Sequence, residues 1–172
     1  MKKAVLMIVA LLVLSVHITA FAAEADFDVM TAPEGTATYH WWEEMLWKSG
    51  VKLDGKGIEL KYLGDRLLIN YFKFVPDDGT EPIIWTKFTS LLPAEALIEA
   101  DGSQAYVGIT DKWGIRTDAN MGATGGQSLA AHTNMEQLPN VSFYPGLTGT
   151  YSIYISIRAV DAVSRVGLRL VD

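Results

Sequence analysis

The sequence predicts a mostly β protein, an antiparallel, jelly-roll-like β-sandwich with one short N-terminal helix. Three observations carry that prediction. Short apolar runs of period two recur from Val51 to Val171, turn residues separate them, and no strand–helix–strand rhythm of the kind a parallel sheet needs intervenes. Composition agrees: of 172 residues, 49% are hydrophobic, 20% are charged and none is cysteine, which excludes a disordered tail and a disulfide-stapled miniprotein.

The chain opens with a segment that reads as a leader. Lys2-Lys3, an apolar run from Ala4 to Val16 and the small-residue end Ala20-Phe21-Ala22 stand in the order of a signal peptide cleaved after Ala22. Ser15, His17 and Thr19 interrupt the run before it reaches the roughly 20 apolar residues of a membrane span. Residues 23–172 are then expected to form a single sandwich domain, secreted or periplasmic, with no membrane contact after cleavage. The formal net charge is −6, and loss of Lys2 and Lys3 makes it two units more negative. Such a surface repels phosphate backbones, so nucleic acid is not an expected partner.

Ala23 to Pro33 reads as an extended lead-in. The helix is expected over Thr38 to Ser49: Thr36 or Thr38 offers an N-cap oxygen, Trp42, Met45, Leu46 and Ser49 recur at helical spacing, and Gly50 stands where a C-terminal cap is wanted. From Val51 the period changes. Ile58, Leu60 and Tyr62 alternate with Glu59 and Lys61, and Arg66 to Val75 carries apolar residues on both faces, as a central sandwich strand does. Ile83 to Thr89 makes a third run, and Gly64-Asp65 and Asp77-Asp78-Gly79 supply the reversals between runs.

A second β block follows. Ala96 to Ala100 and Gln104 to Ile109 read as a hairpin around Asp101-Gly102-Ser103, with a helical turn over Pro93 to Glu99 as the alternative. Trp113 to Gln127 reads as a glycine-rich loop, and Ser128 to Leu138 as a segment holding a short helix capped by Ser128. Val141 to Tyr144, Thr150 to Arg158 and Arg165 to Val171 are the closing strands. In the second of these, Tyr151, Ile153, Ile155 and Ile157 face one way, and Ser152, Tyr154, Ser156 and Arg158 the other. The apolar face runs to the last residues, an ending abrupt enough to suggest truncation at the C-terminus, with further strands or a catalytic domain expected beyond Asp172.

Candidate chemistry is sparse. His40-x-x-Glu43 lacks the second histidine of a metalloprotease helix, and Gly126-Gln127-Ser128-Leu129-Ala130 lacks both the last glycine and the leading strand of a serine elbow. The carboxylate pairs Glu43-Glu44, Asp77-Asp78, Glu99-Asp101 and Asp111-Asp118 fall in turn or helix-surface contexts, so no catalytic residue is assigned. Asp111, Asp118 and Asn120 place three oxygen side chains on one loop and are candidate ligands for a structural calcium; no other cofactor is expected.

The aromatic residues carry the stronger signal. Trp41, Trp42, Trp47, Trp85 and Trp113 with Tyr144 and Tyr154 exceed what a small core needs, and several fall on the polar side of the pattern. Tyr154 shares its face with two serines and Arg158, and Trp85 with Lys87 and Thr89. A flat ring flanked by hydrogen-bonding side chains can stack on the apolar face of a sugar while its neighbours fix the hydroxyls. The expected ligand-binding residues are Trp85, Trp113, Tyr154 and Arg158; the competing reading buries the tryptophans in the core.

One further pattern bears on function. Leu147-Thr148-Gly149-Thr150-Tyr151-Ser152-Ile153-Tyr154-Ile155 with Val166-Gly167-Leu168-Arg169-Leu170 resembles the Gly-x-Tyr-x-Ile-Tyr strand pair of galactose-binding-like jelly-roll domains, which accompany bacterial secreted carbohydrate-active proteins. The resemblance implies an accessory, sugar-recognising or domain-packing role, often beside a catalytic domain in the same chain. The expected function is a secreted, non-catalytic carbohydrate-binding or accessory module whose partner is a polysaccharide or other glycan. The alternatives are a segment of a polysaccharide-acting hydrolase or lyase, and a structural or protein-assembly domain.

Overall fold

The computed structural model describes residues 26–33, 41–90, 97–99, 113–117, 122–131, 138–160 and 163–172. Their alternating apolar positions pair into two sheets. The smaller takes the order β1 (Asp28–Ala32), β11 (Ser164–Val171), β3 (Gly57–Tyr62) and β9 (Val141–Phe143). The larger runs β2 (Glu43–Lys52), β10 (Thr150–Ala159), β4 (Leu67–Pro76), β8 (Ser128–Ala131), β7 (Gly114–Thr117) and β6 (Leu97–Glu99), with β5 (Ile83–Trp85) also on β4. Among these pairings only β6 with β7 is parallel. The fold is the predicted antiparallel β-sandwich.

One apolar core lies between the sheets. Ile58, Leu60, Val166 and Leu168 of the smaller sheet pack in the same cluster as Phe72, Phe74, Ile153, Ile155 and Ile157 of the larger, all without exposed surface. Each such side chain contributes about 1.5–3 kcal/mol relative to its exposed state. Two sheets that share one apolar face must turn their other faces outward, and it is the outer face of the larger sheet that carries the chemistry described below.

The expected helix over Thr38 to Ser49 is corrected. Residues 34–40 lie outside the described residues, and from Glu43 onward the chain is the edge strand β2. Its inward positions are Met45, Trp47 and Val51, whereas Leu46, counted in the helical stripe, is 49% exposed. Two one-residue register shifts against β10 interrupt the ladder, so the alternation is broken and then restored, which scatters the apolar residues at spacings that mimic a helix. Gly50, at φ +64°, supplies the left-handed residue of this irregularity rather than a helix cap. The Trp47 Nε1 donates to Asp28 Oδ2 at 2.9 Å and Lys48 Nζ lies 2.8 Å from the same oxygen, tying this edge to β1 of the facing sheet.

β4 carries a related irregularity. Ile157 pairs with Ile69 but Ser156 pairs with Tyr71, so Asn70 is an extra residue opposite no partner. Leu67 and Ile69 face the core before it, and Phe72 and Phe74 after it, which is why the sequence shows apolar residues on both faces. Asn70 is 3% exposed, and its Oδ1 accepts from the Thr124 N–H at 2.7 Å, docking the 3-10 turn Thr124–Gly126 onto the strand.

Four further expectations change. The glycine-rich loop contains β7, and the segment from Ser128 begins as β8: Leu129 and Ala131 face the core and Ser128 and Ala130 face out, a period of two that no helix has. The run from Ile83 ends at Trp85 and is followed by a 3-10 turn, Phe88–Ser90. Of the expected hairpin, Leu97–Glu99 is a strand, but it runs parallel to β7, and Gln104 to Ile109 lie outside the described residues. The leader, His40, His132 and the calcium candidates Asp111, Asp118 and Asn120 also lie outside them. Among the described residues no helix is long and apolar enough to cross a membrane.

The bulge makes a sharp prediction. Asn70→Ala should lower the unfolding free energy by about 0.5–1.5 kcal/mol, because the bond from the Thr124 N–H that docks the 3-10 turn is lost. Deleting Asn70 should cost little more, since it removes the extra residue and leaves Leu67, Ile69, Phe72 and Phe74 on the core face of an uninterrupted ladder with β10. Urea denaturation followed by tryptophan fluorescence checks both: each variant shifts the midpoint and keeps one cooperative transition.

Candidate binding face

The outer face of the larger sheet is built by alternation from three adjacent strands. β10 presents Ser152, Tyr154, Ser156 and Arg158, β4 presents Tyr71, Lys73 and Val75, and β2 presents Glu44 and Leu46. Register sets them in rows. Leu46, Tyr154, Lys73 and, on β5, Ile84 stand side by side, and in the next row Glu44, Ser156 and Tyr71 do the same.

Glu44 is the hub of this face. Its Oε1 accepts from Lys73 Nζ at 2.7 Å and its Oε2 from the Tyr71 hydroxyl at 2.8 Å. Both bonds bridge from β2 to β4 across the intervening β10, which is possible because the residue beneath them is the small, buried Ser156. Lys73 Nζ also lies 5.0 Å from the centroid of the half-buried Tyr154 ring. Burial pulls the Glu44 carboxyl upward, but the hydrogen bond from Lys73, then that from Tyr71 and the Lys73 charge, reverse this and leave it below the ordinary carboxylate value. Burial, followed by the Glu44 hydrogen bond and charge, pushes the Tyr71 hydroxyl up. At neutral pH the cluster is therefore a carboxylate, an ammonium and a neutral phenol held together.

The expected site residues separate. Tyr154 lies on this face as the alternation requires. Arg158 shares it but is only 7% exposed, its guanidinium 6.0 Å from the Trp42 ring, where Trp42 and Val160 pack against the second apolar cluster of Leu68 and Ala130. Trp85 and Trp113 are core residues. Trp85 pairs with Phe72, an inward position, and stacks on Phe143 at 3.9 Å, because its strand ends there and never places it beside Lys87 and Thr89. Trp113 has no exposed surface; its Nε1 donates to the Pro139 carbonyl at 2.9 Å and its ring meets Tyr62 edge-on.

Glu44, Tyr71 and Lys73 are the members that sequence reasoning missed. Glu44 stood in the expected helix, and the bulge at Asn70 hid the alternation of Tyr71 and Lys73; cross-strand pairing of the two strands with Tyr154 would have found them.

Beyond Val75 and Ser152 the β4–β10 ladder ends in a cleft of about 440 Å³, lined by Pro76, Asp77, Asp78, Thr80, Thr148, Gly149, Thr150 and Tyr151. Its walls are braced: the Asp77 N–H donates to the Thr150 carbonyl at 3.0 Å, the Tyr151 hydroxyl to the Thr148 carbonyl at 3.0 Å, and the Gly149 N–H to Asp54 Oδ1 at 2.9 Å. The Asp78 carboxyl accepts from both the N–H and the hydroxyl of Thr80, which hold it below its ordinary value. Among the described residues no group of three or more His, Cys, Asp or Glu side chains is placed to hold a metal. No known protein family matches this chain, nor does any curated protein or solved structure.

Two measurements follow from this geometry. Trp113→Ala should cost about 3–5 kcal/mol in unfolding free energy, the loss expected of a ring in a packed core. Glu44→Gln should act through pH instead. A carboxyl whose folded pKa lies below its unfolded value adds stability above the unfolded pKa and loses it as pH falls through the folded one. The wild type should therefore exceed Glu44→Gln in thermal midpoint near neutrality and converge with it on acidification below the ordinary glutamate range.

Proposed function

We propose that this protein is an exported, non-catalytic glycan-binding module, and that the outer face of the larger sheet is its binding surface. The observation that carries the reading is the row around Tyr154: an outward ring with Glu44, Lys73, Tyr71 and Ser152 beside it, the charged and phenolic groups already fixed by their mutual bonds. A sugar ring offers an apolar face for the tyrosine and hydroxyls for the polar rim, and partners that are held before binding lose less conformational entropy on it. Export is supported by the leader-like segment at residues 1–22, and a sugar-recognising role by the likeness of the closing strands to galactose-binding-like jelly-roll domains. Glu44, engaged by both Lys73 and Tyr71, is a fixed acceptor at the edge of this surface.

In this reading Trp85 and Trp113 stabilise the scaffold, Tyr154 stacks, and Arg158 positions Trp42 at the border of the face. Affinity electrophoresis through gels containing soluble polysaccharides tests it. Retardation by at least one polysaccharide is expected, with Tyr154→Ala about tenfold weaker or more and its thermal midpoint little changed. A folded protein that no polysaccharide retards overturns the proposal.

A second reading has its own observation. Leu46 and Ile84 flank the Tyr154 row at 49% and 44% exposure, an apolar fringe suited to a protein surface. It expects concentration-dependent association by sedimentation velocity, abolished by Leu46→Glu, and no retardation by polysaccharide.

A further inference from the structure

Resting on the glycan-binding reading, we infer that the ligand is an uncharged, extended glycan strand that lies along the outer β4–β10 ladder and ends in the Asp77–Thr150 cleft. The path is continuous in register. Ser156 and Tyr71, Tyr154 and Lys73, and Ser152 and Val75 form successive outward pairs, and the cleft with Asp77 and Thr150 on its walls follows at the end of the same two strands. From Tyr71 to Asp77 the track covers six residue steps, or about 20 Å at the rise of a strand, which is longer than one sugar and suits a chain.

The chemistry of the track selects against charge. Lys73, the cation in its middle, is engaged by the Glu44 carboxylate at 2.7 Å and lies over the Tyr154 ring, so a ligand carboxylate or sulfate would have to displace a formed ion pair. Arg158 is sunk to 7% exposure. The cleft is lined by two carboxylates, three threonine hydroxyls and no lysine or arginine. Acceptors and hydroxyls of this kind suit sugar hydroxyls, while the carboxylates repel anions, as does the −6 net charge of the chain. Pro76 and the buried Tyr151 give the cleft an apolar floor against which the ring of a terminal sugar can rest.

The experiment compares neutral polysaccharides (mixed-linkage β-glucan, galactomannan, arabinoxylan) with polygalacturonate, alginate and a sulfated galactan, by affinity electrophoresis and titration calorimetry at low and high salt. The expected result is binding to a neutral polymer with an affinity that salt does not change, and several-fold weaker binding by the double variant Asp77→Ala, Thr150→Val at an unchanged thermal midpoint. Preference for the polyanions, with loss of binding as salt rises, overturns the uncharged ligand while leaving the glycan-binding reading in place. Neutral binding that the double variant leaves intact overturns the track into the cleft. If no polymer of either kind binds, the glycan-binding reading falls and this inference with it.

Discussion

The pairing of β10 with β4, phased by the extra residue Asn70, is the constraint on which the rest of the molecule depends. β10 alternates without interruption from Tyr151 to Ala159, so a strict partner would present Leu67 and Ile69 to one sheet face and Phe72 and Phe74 to the other. The bulge returns all four to the core. It simultaneously delivers Tyr71 and Lys73 to the outer face in register with Ser156 and Tyr154. A single inserted residue thus fixes both what the protein buries and what it shows.

The outer cluster depends in turn on what is small beneath it. Glu44 and the pair Tyr71 and Lys73 stand on strands that are not neighbours, separated by β10, and strands lie about 4.8 Å apart. Their side chains meet because Ser156 leaves the space between them open. The network ties the edge strand β2 to the sheet by side chains as well as by its irregular ladder, and the Asp28 contacts with Trp47 and Lys48 tie the same strand to the facing sheet. An edge strand with two register shifts is poorly disposed to pair with another chain, and these cross-links supply the anchoring that its interrupted ladder lacks.

Much of this was legible in the sequence where alternation is regular. The faces of β10 follow from Tyr151 to Arg158 as read, and the strands around Ile58, Val141 and Val166 stand where their patterns put them. What periodicity does not show is a change of phase. Gly50 and Asn70 each mark an irregularity, and around each the pattern imitates another element: a capped helix in one case and a doubly covered strand in the other. Trp85 failed for a related reason, because its assignment to the polar face assumed a strand continuing to Thr89, whereas pairing stops at Trp85 opposite Phe72. The outer face was half legible. Tyr154 was visible from its own strand, but Glu44 and Lys73 join it only through pairings between segments far apart in sequence.

The division of labour among the aromatics has an energetic consequence. Trp47, Trp85 and Trp113 are buried and bind the two sheets together, leaving the outer row with tyrosines rather than tryptophans. Aromatic contacts contribute about 0.5–1.5 kcal/mol beyond area burial, and the polar rim here must trade its existing bonds or water for those of a ligand. On the proposed reading, one such face gives a weak and quickly reversible grip on a sugar. Recognition of that kind becomes effective when the ligand is a repeating chain or when the face is carried beside other binding units, because a second engagement is then intramolecular and needs no new contact to raise the overall affinity. A face of pre-paired charges and tyrosine rings suits that role, because the groups that would meet the ligand are already held by their mutual bonds.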